Sequence, residues 1–244
     1  MEQIIVRDPA IAAKILRVAN SSYYGLSGVE TIGRAVAALG MNTIRSLVIG
    51  IAYQQMMGGK EQATRYSMVE FWKHSLAVAV VSKVIAMIKM PAKAEELYGL
   101  GMMHDVGYLV MDRFLPNELN LIVQTAQAKN CAMFDIETQL LGFDHTDVGA
   151  LLAEKWGFSR MMLAGIQHHH SMIEDLEHTE TTAIVALADG IAHQAGFANN
   201  CPPVNRELDP YAIKTLGLPD EQIEIIREVA AKEVGKAQQA FHIG

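Results

Sequence analysis

Cysteine is scarce in this sequence, and so are charged residues and long apolar runs. Two cysteines, Cys131 and Cys201, occur among 244 residues, too few for the disulfide framework of a small secreted protein. No uninterrupted apolar run reaches the ~18 residues that a membrane span needs, and the N-terminus lacks the basic segment and apolar stretch of a signal peptide. We therefore expect a cytoplasmic protein that does not act at a membrane.

The charge balance argues against a nucleic-acid partner. Only 19% of the residues are charged and the net charge is −7, so the field of the whole molecule repels a phosphate backbone. Residues 31–50 have the spacing of a helix-turn-helix, but Arg34 and Arg45 are their only basic residues. We interpret this segment as core packing.

Helix signals follow one another along the chain, and no segment of strand length alternates polar and apolar residues. Asp8 before Pro9, Thr31 and Ser67 are helix start signals, and the apolar pattern predicts one helix over residues 95–111. With half of its residues apolar, the chain can bury a large core. The sequence predicts an all-α fold.

The clearest break in the chain is the polar, Gly-rich segment at residues 58–61. We therefore predict an N-terminal helical lobe over residues 1–58 and a second lobe over residues 59–203. The remainder, residues 204–244, carries a charged helix and is predicted to form a C-terminal helical cap.

The predicted site is organised around His104 and Asp105, which lie next to each other in an apolar, Gly-rich stretch. Adjacent helix residues point about 100° apart, so these side chains converge only at a metal or a shared polar centre. Gly99, Gly101 and Gly107 weaken a helix, and we expect another helix to approach closely there. Further candidate ligands lie on segments with helical patterns: His74, His145, His169, His170 and Asp189.

Imidazole nitrogens and carboxylate oxygens together suit Mn, Fe, Zn and Ni better than Ca or Mg. Glu70 lies four residues before His74, on the same helix face, and is a further candidate ligand. His145 is predicted at a helix N-terminus, where the helix dipole lowers the pKa of an imidazole. Asp189 is a lone acid in an apolar helix, which is costly unless it is paired or metal-bound.

Each candidate also has a structural interpretation. A single histidine is more often a core or surface residue than a ligand, residues 168–170 could form a solvated helix end, and Asp189 could cap a helix or pair with a lysine. We expect no special role for His178, His193 or His242. The joint occurrence of the other residues on one set of helices favours a metal site.

The order His74, His104-Asp105, Asp189 resembles the His…His-Asp…Asp pattern of the HD superfamily of metal-dependent phosphohydrolases. His145, His169 and His170 resemble the fuller dimetal pattern of its HD-GYP branch. The chain as a whole is most similar to the HDOD domain, the HD-related output domain of bacterial signalling proteins, through residues 8–25, 32–40, 71–79 and 142–156. The resemblance implies an HD-domain-like helical bundle with an N-terminal helical lobe.

Two departures from the HD-GYP pattern make cyclic-dinucleotide hydrolysis doubtful. Tyr108 stands where that pattern has a lysine, and residues 171–175 replace its Gly-Tyr-Pro loop. HDOD domains also usually have one more helical segment before residue 8, so we expect the chain to begin inside the domain.

The resemblance implies a signal-transduction output module with an HD-type site that binds a partner protein or a small phosphorylated ligand. The alternative is a metal-dependent phosphohydrolase for phosphomonoesters or nucleotides, with His104 and Asp105 as catalytic residues. We expect one or two divalent ions, Fe, Mn, Zn or Ni, with an empty structural site as the alternative. One ion would be held by His74, His104, Asp105 and Asp189. The other would be held by His145, His169 and His170, with Asp105 bridging.

Overall fold

The computed structural model describes residues 8–21, 28–41, 43–44, 47–48, 51, 65–172, 177–200 and 207–241. The described residues contain helices and turns but no strand, which confirms the all-α prediction. In chain order the α-helices are α1 Pro9–Ala19, α2 Ile32–Leu39, α3 Met68–Lys89, α4 Ala94–Met103, α5 Gly107–Phe114, α6 Pro116–Lys129, α7 Met133–Leu141, α8 His145–Lys155, α9 Arg160–His168, α10 Thr179–Gln194, α11 Pro210–Leu216 and α12 Asp220–Phe241, with a 3₁₀ turn at Pro91–Lys93.

Short polar side chains begin the helices where the sequence predicts. The hydroxyls of Thr31, Ser67 and Ser159 accept backbone N–H groups of the first turns of α2, α3 and α9. Asp144 caps α8 in a capping box with Asp147, so His145 is the first residue of that helix. Each cap satisfies backbone donors that a helix start leaves without a partner.

The N-terminal lobe has its own small core. Asn20 holds its turn together, because the side-chain amide donates to the carbonyls of Leu16 and Val29 and the side-chain oxygen accepts the N–H of Val29. The turn residues of the sequence predict a structural junction from Asn20 to Gly25, of which Tyr23, Tyr24 and Gly25 lie outside the described residues. The apolar side chains buried in this lobe are Ile15, Val18, Ala19, Val29, Ile32, Ala35, Leu39, Ile44 and Leu47.

Helices α3 to α12 surround a second, larger core. By length and composition α3 could cross a membrane, but 67% of its most apolar window is buried inside the protein, as expected for a central core helix. The C-terminal cap shares this core, since Ile226, Val234 and Ala237 of α12 are buried in it. The predicted lobe boundary at residue 58 lies outside the described residues.

The helix predicted over residues 95–111 is interrupted. α4 ends at Met103 and α5 begins at Gly107, and the intervening turn uses tighter bonds, from the N–H of Val106 to the carbonyl of Met103 and from that of Tyr108 to Asp105. This departure from regular α-helix rotates successive side chains. It lies at the His104-Asp105 pair, whose side chains point into the same centre.

The close approaches expected at Gly101 and Gly107 are present. A Cβ at Gly101 would lie 2.7 Å from Cα of Ala79 on α3, and a Cβ at Gly107 would overlap the backbone carbonyl of His145. The absence of side chains therefore lets α3, α4, α5 and α8 approach closely enough to bring His74, His104 and His145 together.

Candidate metal centre

A buried cluster of imidazoles and carboxylates lies between α3, α8, α10 and the turn that joins α4 to α5. Its donor atoms fall into three overlapping groups, in each of which one atom per residue lies within 4.8 Å of the others. The groups are Asp105 with His145, His169 and His170; His74 with His104 and Asp105; and His74 with Asp189 and His193. Apart from Glu70, every predicted ligand is in the cluster.

Asp105 lies at the centre and turns its two oxygens to different partners. Oδ1 is 3.3 Å from Nε2 of His104, 3.2 Å from Nε2 of His145 and 3.6 Å from Nε2 of His169. Oδ2 is 3.5 Å from Nε2 of His74. A carboxylate with one oxygen toward three imidazoles and the other toward a fourth has the arrangement of a bridging ligand.

His74 joins the other side of the cluster. Its Nε2 lies 3.2 Å from Nε2 of His104 and 3.3 Å from Oδ1 of Asp189. Together with Oδ2 of Asp105, these atoms make one donor atom of each of the other three residues a neighbour of Nε2 of His74. This geometry is compatible with the set His74, His104, Asp105 and Asp189 as ligands of one ion.

The second nitrogen of four rings is fixed by an acceptor. Nδ1 of His74 lies 2.7 Å from the carbonyl of Phe197, that of His104 2.7 Å from the carbonyl of Gly101, and that of His169 2.9 Å from the carbonyl of Ile166. Nδ1 of His145 lies 2.7 Å from Glu137. Since these oxygens only accept, each Nδ1 carries the proton, and in the neutral ring Nε2 presents a lone pair to the cluster.

This assignment creates an electrostatic problem that a cation would solve. Two neutral rings, His74 and His104, would point lone pairs at each other across 3.2 Å, and the neutral rings of His145 and His169 would turn theirs toward Oδ1 of Asp105 at 3.2 and 3.6 Å. Ligand atoms of an ion with bonds of about 2.0 to 2.1 Å lie about 3 to 3.4 Å apart. The donor set therefore fits a first-row divalent ion.

Without an ion, protons would balance the charge. Burial lowers the pKa of His74, but the hydrogen bond and charge of Asp189 outweigh it, so the pKa lies above its ordinary value. Burial raises the pKa of Asp105, but the charge of His104 and the hydrogen bonds of the surrounding rings hold it well below its usual range. Burial lowers the pKa of His169, which Asp105 only partly offsets.

The pKa expected for His145 from its place at a helix start was wrong in direction. Burial does lower this pKa, but the charge of Glu137 together with hydrogen bonds that the ring donates to Asp105 and Glu137 raises it well above its ordinary value. A buried carboxylate in direct contact therefore outweighs the dipole of α8, whose effect is typically about 0.3 to 1 kcal/mol.

Glu70 lies apart from the cluster. Its side chain is 45% exposed and pairs with Lys73 at 3.6 Å, in the first turn of α3, one turn before the buried His74. Glu70 shares a helix face with His74 but lies at the exposed end of the helix, and it is absent from the described groups of donor atoms.

Three polar residues that the sequence did not single out support the cluster. Glu137 of α7 accepts both the backbone N–H and Nδ1 of His145, and Asn199 donates to Oδ2 of Asp105. Asn199 also accepts the hydroxyl of Tyr66 at 2.8 Å, which links the cluster to the start of α3. His193 lies beside Asp189; its spacing of four residues from Asp189 was the signal that could have found it.

A narrow cleft leads from the surface to the cluster. It has a volume of about 20 Å³ and is lined in part by Asp105, His170, Asp189 and His193, which is room for about one water molecule. Among the described residues that line the cleft there is no lysine or arginine. Tyr108 stands where the HD-GYP pattern has a lysine. Its ring stacks on that of His145 with centroids 4.2 Å apart, and its hydroxyl donates a hydrogen bond to Glu137.

Comparisons with known proteins agree with this fold. A family model of the HDOD domain matches residues 1–172, so the chain belongs to the HDOD family and the resemblance seen in the sequence is confirmed. A protein of unassigned function from Treponema pallidum (strain Nichols) is 20% identical over 171 residues, 69% of this chain and 33% of that protein. The chain thus spans about a third of the length of that relative.

Solved structures share the fold across almost the whole chain. An HDOD domain protein of unknown function from Geobacter sulfurreducens is 23% identical with a TM-score of 0.77, covering 98% of this chain and 84% of that chain. A proposed phosphohydrolase from Shewanella amazonensis SB2B is 26% identical with a TM-score of 0.69, covering 99% and 85%. A proposed signal transduction protein from Marinobacter aquaeolei VT8 is 19% identical with a TM-score of 0.76, covering 99% and 54%.

Proposed function

We propose that this HDOD chain is a signal-transduction output module of a bacterium, and that its cluster binds one or two divalent transition ions. The bound ions control the conformation in which the module binds a signalling protein or a small phosphorylated ligand. The observation that carries the proposal is the convergence of four rings on Asp105, each with Nδ1 held by an acceptor and Nε2 turned inward.

A metal would connect parts of the chain that are far apart in sequence. His74 comes from α3, His145 from α8 and Asp189 from α10, and the proposed second set adds His169 and His170 from the turn after α9. Ligands drawn from several helices couple ion binding to helix packing. Asn199 extends this coupling to Tyr66, next to the start of α3, so the occupancy of the cluster can alter the surface that a partner contacts.

The narrow cleft favours regulation over catalysis. A phosphomonoester is much larger than the single water molecule for which the cleft has room. The described lining residues also offer no cation for its phosphoryl oxygens. Loss of one such charge contact typically reduces the rate by about 10² or more. Any hydrolysis is therefore expected to be weak and to depend on an added ion such as Mn.

The alternative function is that of a metal-dependent phosphohydrolase. It is favoured by the central carboxylate of Asp105, whose two oxygens face different imidazoles. Metal ions at such a site lower the pKa of bound water and polarise a phosphoryl oxygen. In that case Asp105 would position the ions, His104 would help to hold one of them, and the cleft would have to open for the substrate.

One set of measurements separates the two functions. The full chain is purified without chelator and its metal content is measured, and wild type is compared with Asp105→Ala on p-nitrophenyl phosphate, nucleotides and cyclic dinucleotides with several ions. The output module predicts bound metal and equal, residual rates in both proteins. Metal-dependent turnover that Asp105→Ala abolishes would establish the hydrolase instead. A protein that takes up no ion would contradict both.

A further inference from the structure

His193 faces the cluster from the same helix as Asp189. The two residues are one turn apart on α10, and Nε2 of His193 lies 3.4 Å from Oδ1 of Asp189. The ring centroid of His193 is 5.1 Å from that of His74. The side chain is only 10% exposed, so the imidazole is held against the cluster and not in solvent.

The donor atoms of His193, Asp189 and His74 form a compact set. One donor atom of each lies within 4.8 Å of the others, close to the separation of about 4 to 4.4 Å between opposite ligands of an ion with bonds of about 2.0 to 2.2 Å. His74 also belongs to the group with His104 and Asp105. The two groups therefore share His74 as a candidate ligand.

We propose that His193 is a ligand of the first ion, in addition to His74, His104, Asp105 and Asp189. This inference rests on the proposed function, because it presupposes that the cluster binds metal. It adds a residue that the His…His-Asp…Asp pattern does not contain and gives the first ion three imidazoles and two carboxylates.

Such a ligand set has consequences for both ions. Five ligands from the protein leave at most one open position on a six-coordinate ion, and an imidazole-rich set favours Co, Ni and Zn over Mn and Mg. The first ion is thus retained as a fixed part of the structure. An exchangeable ligand has more room at the second ion, next to Asp105, His145, His169 and His170.

The position of His193 at the cleft supports this division. His193 and Asp189 both line the cleft, so the first site borders it on this side. A ring that coordinates the ion from this side closes the first site to incoming molecules. A ring that only donates a hydrogen bond to Asp189 would leave that position on the ion to water.

The test is titration of metal-free full-length chain with Co(II), followed by calorimetry and by the d–d absorption of the bound ion. Wild type is compared with His193→Gln and with the matched control His178→Gln, which changes a histidine just before the same helix and outside the described donor groups. We expect His193→Gln to weaken one ion at least tenfold, since even outer-shell changes cost about 10-fold to 100-fold. Its absorption spectrum should change, while the second ion and the control keep wild-type behaviour.

Equal affinities and spectra for both ions in wild type and His193→Gln would overturn the inference while leaving the metal site in place. A wild type that binds no ion would instead overturn the proposed function, and the inference with it. His193→Asp supplies an anionic oxygen donor and should recover part of the affinity that His193→Gln loses. If the glutamine variant does not fold, His193→Ala is titrated in its place, and Co(II) affinities and spectra equal to those of wild type in that variant overturn the inference.

Discussion

Glu137 holds His145 at two points, accepting its backbone N–H at 2.8 Å and its ring Nδ1 at 2.7 Å with the same oxygen. The other oxygen accepts the hydroxyl of Tyr108. Both carboxylate oxygens are thus used to orient one imidazole toward Asp105. A carboxylate behind a histidine ligand fixes its tautomer and increases its basicity.

We therefore expect Glu137→Gln to weaken one of the two ions by about 10-fold to 100-fold. The amide oxygen can still accept from His145, so the ring keeps its place, but the buried negative charge that favours coordination is gone. Metal titration of the purified variant measures this directly. Tyr108→Phe is the matched control, since it removes one hydrogen bond to Glu137 and keeps the ring stacked on His145. An affinity in Glu137→Gln equal to that of the control would show that the charge of Glu137 does not matter.

The residues of the cluster could be predicted from the sequence because each is a rare polar residue within an apolar helical pattern. His74, His104 and Asp189 are buried among apolar neighbours, and such positions need a compensating partner. The same local reasoning failed for Glu70, because a helix period says which residues share a face but not where along the helix the core ends.

The supporting residues could not be found this way. Glu137 is 8 residues from His145, and Asn199 is 94 residues from Asp105, so their roles depend on how the helices pack. Asn199 lies in the turn beyond α10, where asparagine is common for local reasons. The break between Met103 and Gly107 was also invisible, since the apolar helical pattern runs through it and only the approach of α8 explains it.

Gly107 offers a test of the close contact between α5 and α8. Gly107→Ala places a methyl group against the backbone carbonyl of His145, so α5 and α8 must separate. Overpacking of a rigid core contact typically costs about 1 to 3 kcal/mol, and His145 should move away from Asp105. Chemical denaturation should show the lower free energy of unfolding, and metal titration should show weaker binding of one ion.

Gly235→Ala is the control for Gly107→Ala. Gly235 lies in α12 with no atom near its missing Cβ, so alanine there should stabilise the protein by up to about 1 kcal/mol through helix propensity. Metal binding should not change. A Gly107→Ala variant as stable and as metal-competent as Gly235→Ala would mean that the contact between α5 and α8 is not rigid.

Asn20 has a structural role remote from the cluster. Asn20→Ala removes three hydrogen bonds that close the turn between α1 and α2, and each typically contributes about 0.5 to 1.5 kcal/mol. The variant should unfold at a lower temperature while its metal content stays at the wild-type level. Unchanged thermal unfolding together with loss of metal or activity would assign this turn to the functional site.

The pH dependence of stability should differ between the metal-free and metal-loaded protein. In the metal-free protein His145 and His74 have raised pKa values. The ion pairs of these two rings with carboxylates therefore stabilise the folded protein in full at pH values below 6.5, the ordinary pKa of histidine. That stabilisation is lost as pH rises through the raised pKa values. The lowered pKa of His169 acts in the opposite sense, because keeping this ring neutral costs stability below 6.5. The lowered pKa of Asp105 matters only in acid, where stability is lost as pH falls below 3.8.

Bound metal should reverse the loss of stability at high pH. An ion binds the neutral imidazoles and takes the place of the protons on them, so its affinity rises as the rings lose their protons. Thermal unfolding measured from about pH 6 to about pH 9 with chelator should show a falling midpoint. With Zn(II) or Co(II) the midpoint should hold or rise, and metal affinity should increase with pH. The metal-free His145→Gln variant should lose much of the decline, since the most strongly raised pKa is removed. A metal-free wild type whose midpoint is flat across this range would show that the imidazoles stay neutral without an ion, and that Glu137 and Asp105 do not hold a proton on His145.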